Sequence, residues 1–260
     1  NINFVEKDLS NSNINSYIKS ANLVIHLAAI TDAQSSVLIP KKIESNNYNA
    51  TKNITASCAK FKTNLIFVSS TSVYGTQKNV VDENCKKNEL RPQSPYAFFK
   101  LKEENLIKNS FKKNNHNGII LRFGTIYGFS IGMRFHTAVN KFCWQLYQNK
   151  PISIWKTAMK QKRPYLSLKD ASNSINFIIN NKLFDNEIYN IVSQNCTVES
   201  ILKILKSYNK RVKFEYVNSK IMNQLSFEVS SKKFTRKGFR FNGKMNIEIY
   251  KTIQNLKKYK

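Results

Sequence analysis

The chain has 260 residues, 41% of them hydrophobic, which supports a sizeable core and excludes a disordered composition. Its 42 Lys and Arg against 16 Asp and Glu give a formal charge of +26 and raise nucleic acid as a partner. The lysines are scattered over expected helix faces and both ends, among many asparagines and without an arginine-rich stripe. They read as solvated faces, and no nucleic-acid interface is expected.

The first half alternates short apolar runs with longer amphipathic stretches, the signature of a parallel sheet covered by helices. Residues 2–5, Ile-Asn-Phe-Val, read as a strand, and 23–27 as a second. The small Ala28 and Ala29 after it allow close approach at its end. A helix is expected over 41–61 and a strand over 65–68. The hydroxyl-rich segment Ser69-Ser70-Thr71-Ser72-Val73-Tyr74-Gly75 follows directly. A polar loop over 76–92 leads into a helix opening with Ser94-Pro95-Tyr96-Ala97-Phe98-Phe99-Lys100 and continuing through Lys102-Glu103-Glu104. Pro95 suits a first helical turn. Residues 119–122 read as a strand.

Beyond about residue 128 the segments become shorter and mixed. Helices are expected over 135–147, 170–180 and 198–208, and strands over 151–155 and 188–192. A terminal basic helix spans 246–260. The expected organisation is one domain over 1–128 and a second over 129–260.

Tyr96 and Lys100 stand about one helical turn apart, so both project from one face. A lysine ammonium beside a phenol favours the phenolate and lowers its pKa from a reference near ~10. A tyrosine so placed can move protons near neutral pH. The hydroxyls after the 65–68 run would sit at the carboxyl edge of the sheet, where open α/β sheets bind ligands. Cys58, Cys85, Cys143 and Cys196 stand far apart without a Cys-x-x-Cys pair, and no His/Asp/Glu cluster suggests a metal. Reduced thiols fit a cytoplasmic protein. No apolar run approaches the ~20 residues of a membrane span, and no membrane partner is expected.

Several segments, in one order, carry a resemblance. They are Asp8-Leu9, Val24-Ile25-His26-Leu27-Ala28-Ala29, Asn47-Tyr48-Asn49-Ala50-Thr51-Lys52-Asn53, the serine segment, and Ser-Pro-Tyr-x-x-x-Lys. Leu121-Arg122-Phe123-Gly124-Thr125-Ile126-Tyr127-Gly128, Arg163-Pro164-Tyr165 with Asp170, and Tyr189-Asn190-Ile191 complete the series. Over nearly its whole length the chain resembles the extended short-chain dehydrogenase/reductases, in the NAD-dependent nucleotide-sugar epimerase/dehydratase group. The resemblance implies an α/β fold: a Rossmann-like doubly wound parallel sheet and a smaller, mixed C-terminal substrate lobe that partly threads back onto it. The family opens with a Gly-rich turn, whereas the first glycine here is Gly75 and residue 1 is Asn. The expectation is a chain that lacks its first βαβ unit, with residues 2–5 as an internal strand and a weakened grip on the dinucleotide.

By the same resemblance Ser70 would hydrogen-bond the reacting sugar hydroxyl. Tyr96 would take its proton, and Lys100 would bind the nicotinamide ribose and hold the phenolate charge. Asp8 and Leu9 would sit at the adenine; Leu27, Ala28, Ala29 and Phe123 would line the cofactor; Asn47 would brace the site beside it. Arg163 would grip the nucleotide diphosphate with its bidentate fork. Thr125 stands where many members carry Asn to contact the sugar. Met133-Arg134-Phe135 is similar to a Met-Arg-Phe-Asp variant in which Arg134 would meet substrate, with His136 replacing the acid. His26 and His116 read as structural.

Dehydratases place acids at the positions of Thr71 and Ser72, so the hydroxyls here argue against dehydration. The expected function is NAD-dependent epimerisation of a nucleotide-diphosphate sugar, 4-epimerase-like, through a transient keto intermediate. NADP stays open as the cofactor. The alternatives are a nucleotide-sugar dehydrogenase or reductase and a catalytically impaired fragment. A homodimer is expected.

Overall fold

The computed structural model of the protein describes residues 2–77, 79–217 and 226–258. They form two units interleaved along the chain: Asn1–Val73 with Pro92–Arg122 and Ile178–Tyr189, and Tyr74–Arg91 with Phe123–Phe177 and Asn190–Lys260.

The first unit is built on a sheet ordered Leu23–His26, Asn64–Ser70, Gly118–Phe123, Ile188–Ile191. The first two strands run parallel, with Leu23 opposite Asn64 and His26 opposite Phe67. Leu65, Ile66 and Phe67 are fully buried, as an unbroken apolar run covered on both faces should be. The helix Asn49–Phe61 connects these strands and stops at Lys62, whose φ of 57° is a left-handed cap. Ile54 and Cys58 from this helix pack with Leu65, Phe67, Ile107, Phe111 and Ile120. Gly118 lets the next strand enter. A Cβ there would stand 2.4 Å from the Leu65 carbonyl oxygen and 2.5 Å from the Phe111 ring.

Two expectations need correction. Residues 2–5 form no strand; Ile2 is 98% and Phe4 88% exposed. A strand needs a neighbour for its backbone groups and a surface for its side chains, and this segment has neither. The helix expected over 41–61 is interrupted: Pro40–Ile43 and Asn49–Phe61 flank a π-turn at Glu44–Tyr48.

In the second unit the strand Lys162–Ser167 pairs in parallel with Thr125–Tyr127 and antiparallel with Gln194–Thr197. Ile152–Trp155 pairs with Phe214–Val217. The helices Ala138–Tyr147, Val198–Tyr208 and Met245–Lys258 bury Phe142, Leu146, Ile201, Leu205, Ile249 and Ile253 in one core. Thr197 caps the second of these helices, its hydroxyl accepting from Ser200 N at 3.2 Å. Asp170 is fully buried and accepts from Asn242 N, Gly243 N and Ser193 Oγ at 3.0, 2.9 and 2.5 Å, tying three separate segments together. Residues 259–260 of the expected terminal helix, and residue 78 of the expected loop, lie outside the described residues. Among the described residues no helix is long and apolar enough to cross a membrane.

Candidate active site

The Tyr96 helix begins where the sequence places its start signals. Ser94 is extended, with φ of −147°, and its Oγ accepts from Ala97 N at 3.2 Å. Pro95 occupies the first turn, where its missing N–H has no consequence. Tyr96 follows at 9% exposure, its N–H donating to Ser36 Oγ at 3.3 Å. Lys100, one turn on, is 3% exposed. Its Nζ donates to Val68 O at 3.2 Å and lies 2.9 Å from Glu103 Oε2 and 4.5 Å from the centre of the Phe67 ring.

Val68 is two residues before Ser70, so the Lys100 bond fastens the helix to the carboxyl end of the Asn64–Ser70 strand. Ser70 is half-buried there, and its Oγ accepts from Ser72 N at 3.2 Å and from Ser72 Oγ at 2.9 Å. Hydroxyl, phenol and ammonium thus come from one strand end and one helix start within the first unit.

Glu104 holds this junction from behind. Arg122 on the neighbouring strand donates Nε to Oε1 at 2.9 Å and Nη2 to Oε2 at 2.7 Å, and Ser69 Oγ donates to Oε1 at 2.5 Å. All three residues are buried. Sequence reading missed Glu104 and Glu103. The available signal was an acid at Lys100+4, on the same helix face as Lys100.

Asn47 lies in the π-turn, a distortion common at functional sites. Its Oδ1 accepts from Ile30 N at 2.8 Å and its Nδ2 donates to Ile30 O at 2.9 Å, clamping the turn after the Leu23–His26 strand. Leu27 and Ala28 in that turn are exposed, and Ala29 is half-buried. Asp8 is exposed and caps its own turn, accepting from Ser10 N and Oγ at 2.9 and 2.7 Å; these bonds hold its carboxyl below the ordinary range. Leu9 packs against the core, and its carbonyl accepts from Asn53 Nδ2 at 2.9 Å.

Four candidates belong to the second unit. Phe123 is buried, Thr125 is half-buried on its strand opposite Tyr165, and Arg134 is exposed. Arg163 is half-buried, its Nη2 donating to Gln161 Oε1 at 3.3 Å. No group of three or more His, Cys, Asp or Glu among the described residues could hold a metal ion.

His26 lies beneath the site, its Nε2 2.9 Å from Thr51 Oγ1. Burial first, and the Lys100 charge second, push its pKa down from 6.5 to about 3. The folded state therefore holds a neutral imidazole where the unfolded chain binds a proton. Its stabilisation is fully present above pH 6.5 and is lost as pH falls toward 3. Between pH 6.5 and 5, urea titrations should show the protein losing about 2 kcal/mol more than His26→Gln. Parallel pH slopes would refute the assignment.

A parallel α/β sheet, with a tyrosine and a lysine one helical turn apart fastened beside a strand-end serine, defines a Rossmann-like protein. Residues 1–192 match the NAD dependent epimerase/dehydratase family, and the chain belongs to it. It is 26% identical over 228 residues to an uncharacterized UDP-glucose epimerase, YtcB, of Bacillus subtilis (strain 168), covering 86% of this chain and 70% of that protein. It is 29% identical over 203 residues to an ADP-L-glycero-D-manno-heptose-6-epimerase of Brachyspira hyodysenteriae (strain ATCC 49526 / WA1), covering 75% and 61%. Among solved structures it shares its fold with MoeE5 in complex with UDP-glucuronic acid and NAD, at a TM-score of 0.88 and 21% identity, over 98% of this chain and 86% of that one.

Proposed function

We propose that the protein is an NAD-dependent 4-epimerase of nucleotide-diphosphate sugars, working through a transient keto sugar. The observation that carries the proposal is Lys100 bound to Val68 O, with Tyr96 one turn away on the same buried helix face. The hydroxyls of Thr71 and Ser72, where a dehydratase would need acids, weigh against dehydration. The similarity to a protein named UDP-glucose epimerase supports the substrate class.

The residues present fit the nicotinamide ribose end of the cofactor. Lys100 keeps ammonium hydrogens at the sheet edge, and the open Leu27-Ala28-Ala29 turn is held by Asn47. Gly75 is the first glycine, so residues 1–74 contain no Gly-rich phosphate cradle. Bound NAD would supply the acceptor and donor of hydride. Ser70 orients the sugar hydroxyl, Tyr96 takes and returns its proton, and Lys100 holds the phenolate charge. By the family resemblance, Arg163 would grip the diphosphate, Thr125 and Arg134 would meet the sugar, Phe123 would line the cofactor, and Asp8 and Leu9 would sit at its adenine.

The test is incubation of the purified protein and NAD with UDP-glucose and UDP-glucuronic acid, separated by anion-exchange chromatography. Interconversion with its 4-epimer, without net NADH, is the expected result. Net NADH at 340 nm without interconversion would establish the dehydrogenase alternative. The proposed assembly is a homodimer, which a sedimentation mass of one chain would overturn. A cytoplasmic location is proposed from the four free thiols and is tested by fractionation.

A further inference from the structure

Glu103 has no part in the chemistry described so far, yet it is fully buried against the lysine that does. Its Oε2 lies 2.9 Å from Lys100 Nζ as an ion pair, and neither carboxylate oxygen has an aligned hydrogen-bond partner among the described residues. A buried carboxylate held by one ion pair and no aligned hydrogen bond is an expensive group, and an apolar side chain would sit there more stably. Burial raises its carboxyl above the ordinary range, and the Lys100 ammonium opposes that rise.

Two consequences follow for Lys100. An ammonium has three donors. One goes to Val68 O at 3.2 Å, and the Glu103 carboxylate 2.9 Å from Nζ holds the ammonium where it is. The second consequence is electrostatic. An ammonium alone lowers the pKa of a neighbouring phenol, and a carboxylate in contact with it cancels part of that field. Of the surrounding groups, the nearby Glu104 adds to the rise at Glu103. Glu104 is neutralised by Arg122 at 2.7 Å, and His26, with a pKa of about 3, is uncharged at neutral pH.

We propose that Glu103 is a positioning residue for the Tyr96–Lys100 pair: its carboxylate pins the ammonium at the strand end and keeps the Tyr96 phenol protonated to higher pH than the lysine alone would. The inference rests on the assignment of Tyr96 and Lys100 to proton transfer. It makes the pH range of the protein's activity a property of a residue three places beyond the lysine.

The test needs no turnover. Protein labelled with 13Cζ-tyrosine is titrated by NMR, and the Tyr96 resonance is assigned by its loss in Tyr96→Phe. Glu103→Gln should lower the Tyr96 midpoint by about 1 pH unit, and Lys100→Met should raise it. If Glu103→Gln does not fold, Glu103→Met removes the same charge at similar length. An unchanged midpoint in the Glu103 variant, with a raised one in Lys100→Met, overturns the role of Glu103 and leaves the tyrosine–lysine pair standing. A midpoint moved by neither variant overturns both.

Discussion

Tyr96→Phe should lower kcat for sugar epimerisation by about 10²–10⁴-fold, the range that a positioned proton-transfer group contributes. The substitution removes one hydroxyl and keeps the ring. Tyr96 is tied to Ser36 through its backbone N–H, and the helix start is set by Ser94 and Pro95, so the fold should persist. Circular dichroism and the urea midpoint should match the parent protein, and KM should change far less than kcat. This split identifies a group needed in the transition state rather than one that merely binds substrate. An unchanged kcat would remove Tyr96 from the chemistry.

The largest stability effect should come from Glu104→Gln. Glu104 and Arg122 meet through two bonds of 2.9 and 2.7 Å, with side-chain exposures of 2% and 4%. Removing one charge leaves a guanidinium stranded in the interior, which costs about 3–5 kcal/mol. The loss should appear as a lower urea midpoint at unchanged m-value. Glu104→Gln combined with Arg122→Met should recover part of it, because the second change removes the stranded charge. A loss below about 1 kcal/mol, the range of exposed pairs, would mean that water reaches the pair. Because Glu104 also receives Ser69 Oγ, the single variant should loosen the helix from the strand that ends at Ser70.

The parts of the site legible in the sequence are those written in local signals. The 65–68 run predicts a buried strand because its apolar residues are consecutive, and Leu65, Ile66 and Phe67 are buried. Pro95 marks a helix start that Ser94 caps, which sets Tyr96 and Lys100 on one face. What stayed hidden depends on partners distant in sequence. The Glu104–Arg122 pair spans 18 residues, and the Asp170 hub draws on Asn242 and Gly243 more than 70 residues away. No local pattern marks either. Residues 2–5 fail in the opposite sense: their composition favours a strand, but strand formation is decided by a neighbour. Asn47 reads as part of a continuous helix, whereas in the structure it lies in a π-turn and makes two hydrogen bonds to the Ile30 backbone, 17 residues away.

Deuterium at C4 of UDP-glucose follows the reacting carbon itself. The labelled sugar is incubated in unlabelled water with NAD and the protein, and the 4-epimer is analysed by mass spectrometry. Proton abstraction by Tyr96 with return of the same hydride predicts that the product keeps its deuterium, that no NADH accumulates, and that Tyr96→Phe forms the labelled epimer about 10²–10⁴-fold more slowly. A product carrying solvent hydrogen at C4, or an oxidised sugar accumulating with NADH, would contradict it.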